Sequence, residues 1–195
     1  MPRHFALLRG ATLRLAAVLL ALSTAAAQAE APMGDDGLHK AAWMQDTFKN
    51  MRDDLDEANA EGKRLLIMIE QRGCIYCEKM HKEVYPVPAI EELLTDKYFV
   101  VQINLFGGTE VTDFDGKVLT EKEMSRRWGI AFTPTLIFLP EEVPEGETAT
   151  QAAVVTMPGA FGKNTVQALL EWVLAHGYAD GTMFQEYYAP LTRGN

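Results

Sequence analysis

The chain of 195 residues has only two cysteines, Cys74 and Cys77. Two cysteines three positions apart close a loop too small to staple a fold, so a disulfide scaffold is excluded. Clusters of Lys and Arg are also lacking. The chain carries 18 basic against 27 acidic residues, a formal charge of −9, which disfavours nucleic acid and anionic lipid as partners. Metal ligands are sparse. Cys74, Cys77 and His81 have a ligand-like spacing, but a closed zinc site needs a fourth donor and no second Cys/His pair exists. A c-type haem needs His directly after the second Cys, and residue 78 is Glu. There is no internal repeat and no low-complexity block. The apolar run Leu15–Leu22 is shorter than the roughly 20 residues that span a bilayer.

What is present at the start is an export pattern. Arg3, Arg9 and Arg14, with no acid, precede the apolar run, and Ala27-Gln-Ala29 closes it. A basic start, a short apolar centre and a small-x-small end predict a secretory signal over 1–29, cleaved after Ala29. Without those residues three Arg and no acid are lost, so the formal charge falls from −9 to −12. An exported protein meets an oxidising compartment, where a lone C-x-x-C is better explained by chemistry than by stability.

The remainder reads as one α/β domain over 43–178. A flexible lead-in over 30–42 precedes it and an extension over 179–195 follows. Phe48, Met51, Leu55 and Ala58 recur at helical spacing from Trp43 onward, up to Glu61-Gly-Lys63. Leu65–Ile69 is a continuous apolar run, as in a strand covered on both faces. A helix is expected from the cysteine turn through Glu83, and a second helical turn or two over Ala89–Leu94. Strands are expected at Tyr98–Ile103, Pro134–Leu139 and Ala152–Met157. Asp115-Gly116 marks a hairpin between Val111-Thr112 and Lys117–Leu119, and Thr120-Glu-Lys-Glu123 is a capping box for a helix over 121–128. Val166, Leu169, Leu170, Val173 and Leu174 form a last amphipathic helix. Alternation of buried strands and helices indicates a mixed sheet flanked by helices. Asp113-Phe-Asp-Gly116 has some acids of a calcium loop but not the full spacing, which favours a turn.

Cys74 follows a strand and should open a helix, where unpaired N–H groups and the helix dipole stabilise a thiolate. Cys77 lies one turn further in, within reach of a mixed disulfide formed on Cys74. A C-x-x-C beside a βαβ pattern reads as a redox pair, ahead of a zinc site or an inert staple. His81, one turn past Cys77, either tunes the thiol or, more readily, occupies a solvated helix position.

These residues resemble the thioredoxin-fold family. The features are an apolar strand ending before Cys74, the C-x-x-C, Trp128-Gly-Ile-Ala-Phe-Thr-Pro-Thr-Leu136, and Gly159-Ala160 before the last helix. The resemblance implies a thioredoxin fold with a mixed central sheet of four to five strands flanked by helices. It implies catalytic Cys74 and Cys77, a cis Pro134 facing them, and Thr133 offering backbone hydrogen bonds to a bound peptide. The alternative for Pro134 is a trans, strand-initiating proline. Tyr76, inside the motif, either shapes partner choice or covers the pair. Gly73–Met80, Glu83-Val84 and Glu110–Gly116 look like periplasmic thioredoxin-like proteins of the SoxW type. That likeness implies a periplasmic electron carrier with no cofactor beyond its redox disulfide. A membrane thiol transporter of the CcdA or DsbD kind would reduce it. It would act as a monomer on protein disulfides in sulfur-compound oxidation or cytochrome maturation. An oxidant, an isomerase or a non-catalytic binding module are the alternatives. The familiar strand acid is replaced near Met68. Glu70, four residues before Cys74, is either its substitute as a proton relay or an exposed strand-end acid.

Overall fold

The computed structural model describes residues 31–192, so the expected signal and its cleavage point lie outside the described residues. The chain begins with a short strand β1 (Met44–Gln45) and a helix α1 (Met51–Ala60), followed by β2 (Arg64–Glu70). A helix α2 (Ile75–Lys79) widens into a π-helical turn (Met80–Val84) and is followed by α3 (Pro88–Lys97). Next come β3 (Tyr98–Asn104), the hairpin β4 (Glu110–Thr112) and β5 (Val118–Thr120), and α4 (Glu121–Arg127). The chain ends through β6 (Thr135–Phe138), α5 (Ala149–Ala152), β7 (Val155–Pro158), α6 (Lys163–Leu174) and α7 (Phe184–Thr192).

The main sheet has five strands in the order β1-β3-β2-β6-β7. β1 and β2 run parallel to β3, whereas β6 is antiparallel to β2 and β7 to β6. Helices cover both faces, which explains why β2 is apolar from Leu65 to Ile69 and buried at all seven positions. Side chains alternate along the strand. Leu65, Ile67 and Ile69 pack with Met51 and Leu55 of α1 and Met124 of α4. Leu66 and Met68 pack on the other side with Met80, Ile90, Leu94, Leu169 and Trp172. Glu70 follows Leu66 and Met68 in this alternation, so the strand's own period carries a carboxylate onto that buried face.

Several sequence expectations change. The helical pattern expected from Trp43 begins only at Met51. Trp43 joins the core, Met44 pairs with Val100, and Lys49 has a φ of 57°, which ends the extended segment. Asn50 then caps α1 by accepting the Arg52 N–H, and Phe48 is left 99% exposed instead of lining the helix face. The strand expected from Ala152 starts at Val155, because Thr148 and Gln151 form a capping box that makes Ala149–Ala152 a helical turn. α3 is longer than a turn or two, with Pro88 at its first position where the missing N–H costs nothing. The stretch 31–42, expected as a flexible lead-in, is pinned to the domain. Met33 bridges to His39, and Leu38 and His39 are buried. The extension packs through Phe184, whose ring lies 5.6 Å from Trp172 of α6, and through Thr165, which donates to the Tyr188 hydroxyl at 3.0 Å.

Candidate redox site

The C-terminal end of β2 delivers the chain to Gln71-Arg72-Gly73. Gly73 has a φ of 70°, a conformation that costs other residues more, and its missing side chain would meet nothing. The turn ends at Cys74, which is the N-cap of α2. Cys74 and Cys77 form a disulfide with their Cα atoms 5.2 Å apart. Two donors converge on Cys74 Sγ: the Cys77 backbone N–H at 3.0 Å and the Thr133 hydroxyl at 3.3 Å. Both would stabilise a Cys74 thiolate in the reduced protein, because hydrogen bonds to the charged form favour it. Cys74 also lies 3.5 Å from the Thr133 carbonyl oxygen. The Thr133–Pro134 peptide bond is cis, not the trans strand start considered as the alternative. Cys74 is 9% exposed and Cys77 is 2% exposed, so the first sulfur is the one open to a partner.

Around the disulfide several large apolar side chains are exposed. Ile75, Tyr76 and Phe132 are exposed, and Phe161 is partly so. An open groove of about 440 Å³ runs beside α2, lined by Tyr76, Lys79, Glu83, Ala160, Phe161 and Lys163. Tyr76 therefore stands outside the disulfide and on the edge of this groove. Phe132 and Phe161 were not singled out by the sequence reading. Their positions, one before Thr133-Pro134 and one after Gly159-Ala160, were the available signal.

Behind the disulfide lies a cluster of buried polar side chains. Glu70 is 1% exposed, which removes the reading as an exposed strand-end acid. His81, expected in a solvated helix position, is 2% exposed. The reason lies in helix geometry: Cys77, Met80, His81, Val84 and Tyr85 share one inward stripe at spacings of three and four. That stripe was readable in the sequence. His81 Nε2 lies 3.1 and 3.2 Å from the two oxygens of Glu70. Gln102 of β3 donates its side-chain amide to Glu70 Oε2 at 2.7 Å and to the His39 carbonyl at 2.9 Å. Lys40 donates to Gln102 Oε1 at 2.6 Å and to Asp36 at 2.7 Å. The His39 ring stacks on His81 at 4.6 Å, and Trp43 and Tyr85 complete the wall. His39 and Gln102 could not be placed from sequence, since they arrive from separate strands and loops. A cavity of about 90 Å³ separates this cluster from the sulfurs, lined by His39, Glu70, Cys74, Cys77 and Glu78 among others. Both sulfurs are bonded to each other and His81 turns to Glu70, so the ligand-like spacing gathers no ligand set. Among the described residues no three His, Cys, Asp or Glu are placed to hold a metal ion.

Asp113-Phe-Asp-Gly116 is a turn. Asp113 is buried and accepts from Arg127 at 2.7 Å, from the Trp128 indole at 2.8 Å and from the Ala149 N–H at 2.9 Å.

A family model described as a thioredoxin-like domain matches residues 51–173. Among solved structures, a thioredoxin-fold protein from Helicobacter pylori is similar at a TM-score of 0.53 and 17% identity, over 68% of this chain and 81% of that one. A thioredoxin from Thermus thermophilus is similar at a TM-score of 0.52 and 22% identity, over 68% of this chain and 90% of that one. Among curated proteins no relative matches. The mixed five-stranded sheet flanked by helices is a thioredoxin fold.

Proposed function

This chain belongs to the thioredoxin-like domain family, and we propose that it is an exported thiol–disulfide oxidoreductase that exchanges disulfides with partner proteins through Cys74 and Cys77. One observation carries the reading. The accessible sulfur of a Cys74–Cys77 disulfide receives hydrogen bonds from the Cys77 N–H and the Thr133 hydroxyl, beside the cis Thr133–Pro134 bond.

In the reducing direction the Cys74 thiolate attacks a partner disulfide. One partner sulfur leaves as a thiolate and takes a proton, and Cys74 is left in a mixed disulfide. Cys77 then loses its proton and attacks Cys74 Sγ. The second partner sulfur leaves with a proton, and Cys74–Cys77 is oxidised. Two electrons and two protons pass to the partner. Thr133 and Pro134 hold an extended peptide beside Cys74, and Tyr76 offers an exposed ring at the groove edge. Glu70 is the proton relay for Cys77, supported by its burial on the cavity that Cys77 shares.

The export pattern of residues 1–29 supports a periplasmic location for the mature chain. The likeness of residues 73–80 and 110–116 to SoxW-type proteins supports a reductant or electron carrier, which we take to act as a monomer with no cofactor beyond its disulfide. A membrane thiol transporter of the CcdA or DsbD kind feeds it, and sulfur-compound oxidation or cytochrome maturation receives its electrons. None of the described helices is long and apolar enough to cross a membrane.

The test is reduction of a disulfide-bonded protein by the reduced chain, compared with Cys74→Ser and Cys77→Ser. Wild type is expected to turn over, Cys74→Ser to lose activity to background, and Cys77→Ser to accumulate a mixed disulfide on Cys74. Equal turnover by wild type and Cys74→Ser overturns the reading. A strongly oxidising potential would instead assign the protein to disulfide formation.

A further inference from the structure

We infer that His81 completes a buried carboxylate–imidazole pair with Glu70 that takes the proton of Cys77 as Cys77 resolves the mixed disulfide, and that residues 36–40 hold this pair in place. The inference rests on the thiol–disulfide reading above. It adds to that reading a positioning residue and a role for the N-terminal segment.

A lone carboxylate as buried as Glu70 is costly, and it is compensated only by partners that complete its hydrogen bonding. Glu70 has two such partners. Gln102 can only donate to it, because Lys40 occupies the amide oxygen of the same side chain and so fixes which end faces Glu70. His81 meets both carboxylate oxygens through one nitrogen. The pair is thus a carboxylate and an imidazole in hydrogen-bond contact, both buried, with Glu70 lining the cavity that Cys77 also lines, which is the geometry a proton acceptor for a buried thiol requires.

The donor is placed to match. Cys77 is buried, and an ordinary thiol at neutral pH is mostly protonated, so it attacks slowly unless a base accepts its proton. Cys77 and Glu70 line the same cavity of about 90 Å³. That exceeds the roughly 10–15 Å³ of probe volume one water needs, so a bridging water can carry the proton. In the step itself the Cys77 S–H bond breaks and its proton passes to the Glu70–His81 pair. The Cys77–Cys74 bond forms, the Cys74–partner bond breaks, and the partner sulfur leaves with the electron pair.

The other groups facing the pair are accounted for. From the N-terminal segment come the His39 ring and Lys40, which is paired with Asp36. From β3 comes Gln102. From the helix come Cys77, Glu78 at the cavity rim and Tyr85. The Tyr85 phenol is raised well above its ordinary range by burial and by the Glu70 charge, so it stays neutral. Its hydroxyl is buried without a hydrogen-bond partner among the described residues. The Asp36–Lys40–Gln102–Glu70–His81 chain thus ties the segment before β1 to the chemistry at Cys77.

The experiment uses the reduced full-length mature protein and the aromatic disulfide dithionitrobenzoate. Attack by Cys74 releases one thionitrobenzoate, and resolution by Cys77 releases a second. In His81→Gln the first release is expected to keep its wild-type rate. The second is expected to slow at least about tenfold near neutral pH and to recover as hydroxide rises, as for loss of a general base. Glu70→Gln is expected to do the same, and the double variant to add little, because the two act as one unit. A second release with unchanged rate and pH profile in His81→Gln overturns the inference. So does a slowing of equal size at every pH, which assigns His81 to packing alone. Failure of the first release in the wild type overturns the oxidoreductase reading itself, which keeps the two outcomes apart.

Discussion

At the scale of single residues, burial governs what each ionisable group does. Asp54 of α1 is buried at 3% exposure, and its carboxyl is pushed up to about 6 from an ordinary 3.8. Desolvation is the main cause. The Thr47 hydroxyl, which donates to it at 3.3 Å, pulls the other way, while the charges of Glu57 and Asp53 add to the rise. The folded state therefore binds the proton more tightly than the unfolded chain. The contribution of Asp54 to stability falls as pH rises from about 4 to about 6 and stays lost above that. Asp54→Asn keeps an acceptor for Thr47 and removes the charge. It is expected to stabilise the protein by about 1 kcal/mol at neutral pH, after allowance for solvent screening, and to have little effect near pH 4. Thermal denaturation of both proteins across that range checks this. A gain of equal size at low pH would show that charge is not the cause.

At the scale of elements, the hairpin β4–β5 is fastened by two turn carboxylates, Asp113 and Asp115, which both accept from Arg127. Asp113 joins the turn to α4 through Arg127 and Trp128, and to α5 through the Ala149 N–H. Asp113→Ala would leave the Trp128 indole and the Ala149 N–H without their acceptor while Arg127 keeps Asp115, and two unsatisfied buried donors cost about 3 kcal/mol together. The midpoint of denaturant unfolding is expected to fall accordingly, with the reaction of Cys74 unaffected. A cost under about 0.5 kcal/mol, the level of ordinary surface changes, would contradict this account. Many of the elements were legible locally. Thr120–Glu123 marked α4, the apolar run marked β2, and Asp115-Gly116 marked the hairpin. The failures share a cause. Phe48 and Ala152 fit the expected pattern, but a left-handed Lys49 and a capping box at Thr148 delay the helix to Met51 and the strand to Val155.

At the scale of the whole molecule, both flanking segments are built into the domain. Residues 36–40 close the back of the redox site. α7 covers Trp172, with the Phe184 ring at 5.6 Å and the Tyr178 ring at 5.9 Å from it. Ending the chain after Tyr178 removes Phe184 and uncovers that face. The expected loss is about 2–3 kcal/mol, the scale of exposing one large apolar side chain, with both steps of disulfide exchange retained. Unchanged unfolding of the truncated chain would place α7 outside the cooperative unit.

The sequence by itself determined the Cys74–Cys77 pair and the alternation of helix and strand, and the family resemblance pointed to Thr133 and Pro134. The first two rest on neighbours within a few positions: a C-x-x-C and a period. The tertiary structure alone decided what stands behind Cys77. Glu70 comes from one strand, Gln102 from the next, His81 from the helix and His39 from the segment before the first strand. Each has an ordinary solvated reading in its own stretch of chain. Only the packing of the sheet against the helix and the N-terminal segment removes water from all four at once and gathers four polar residues into one buried, hydrogen-bonded cluster.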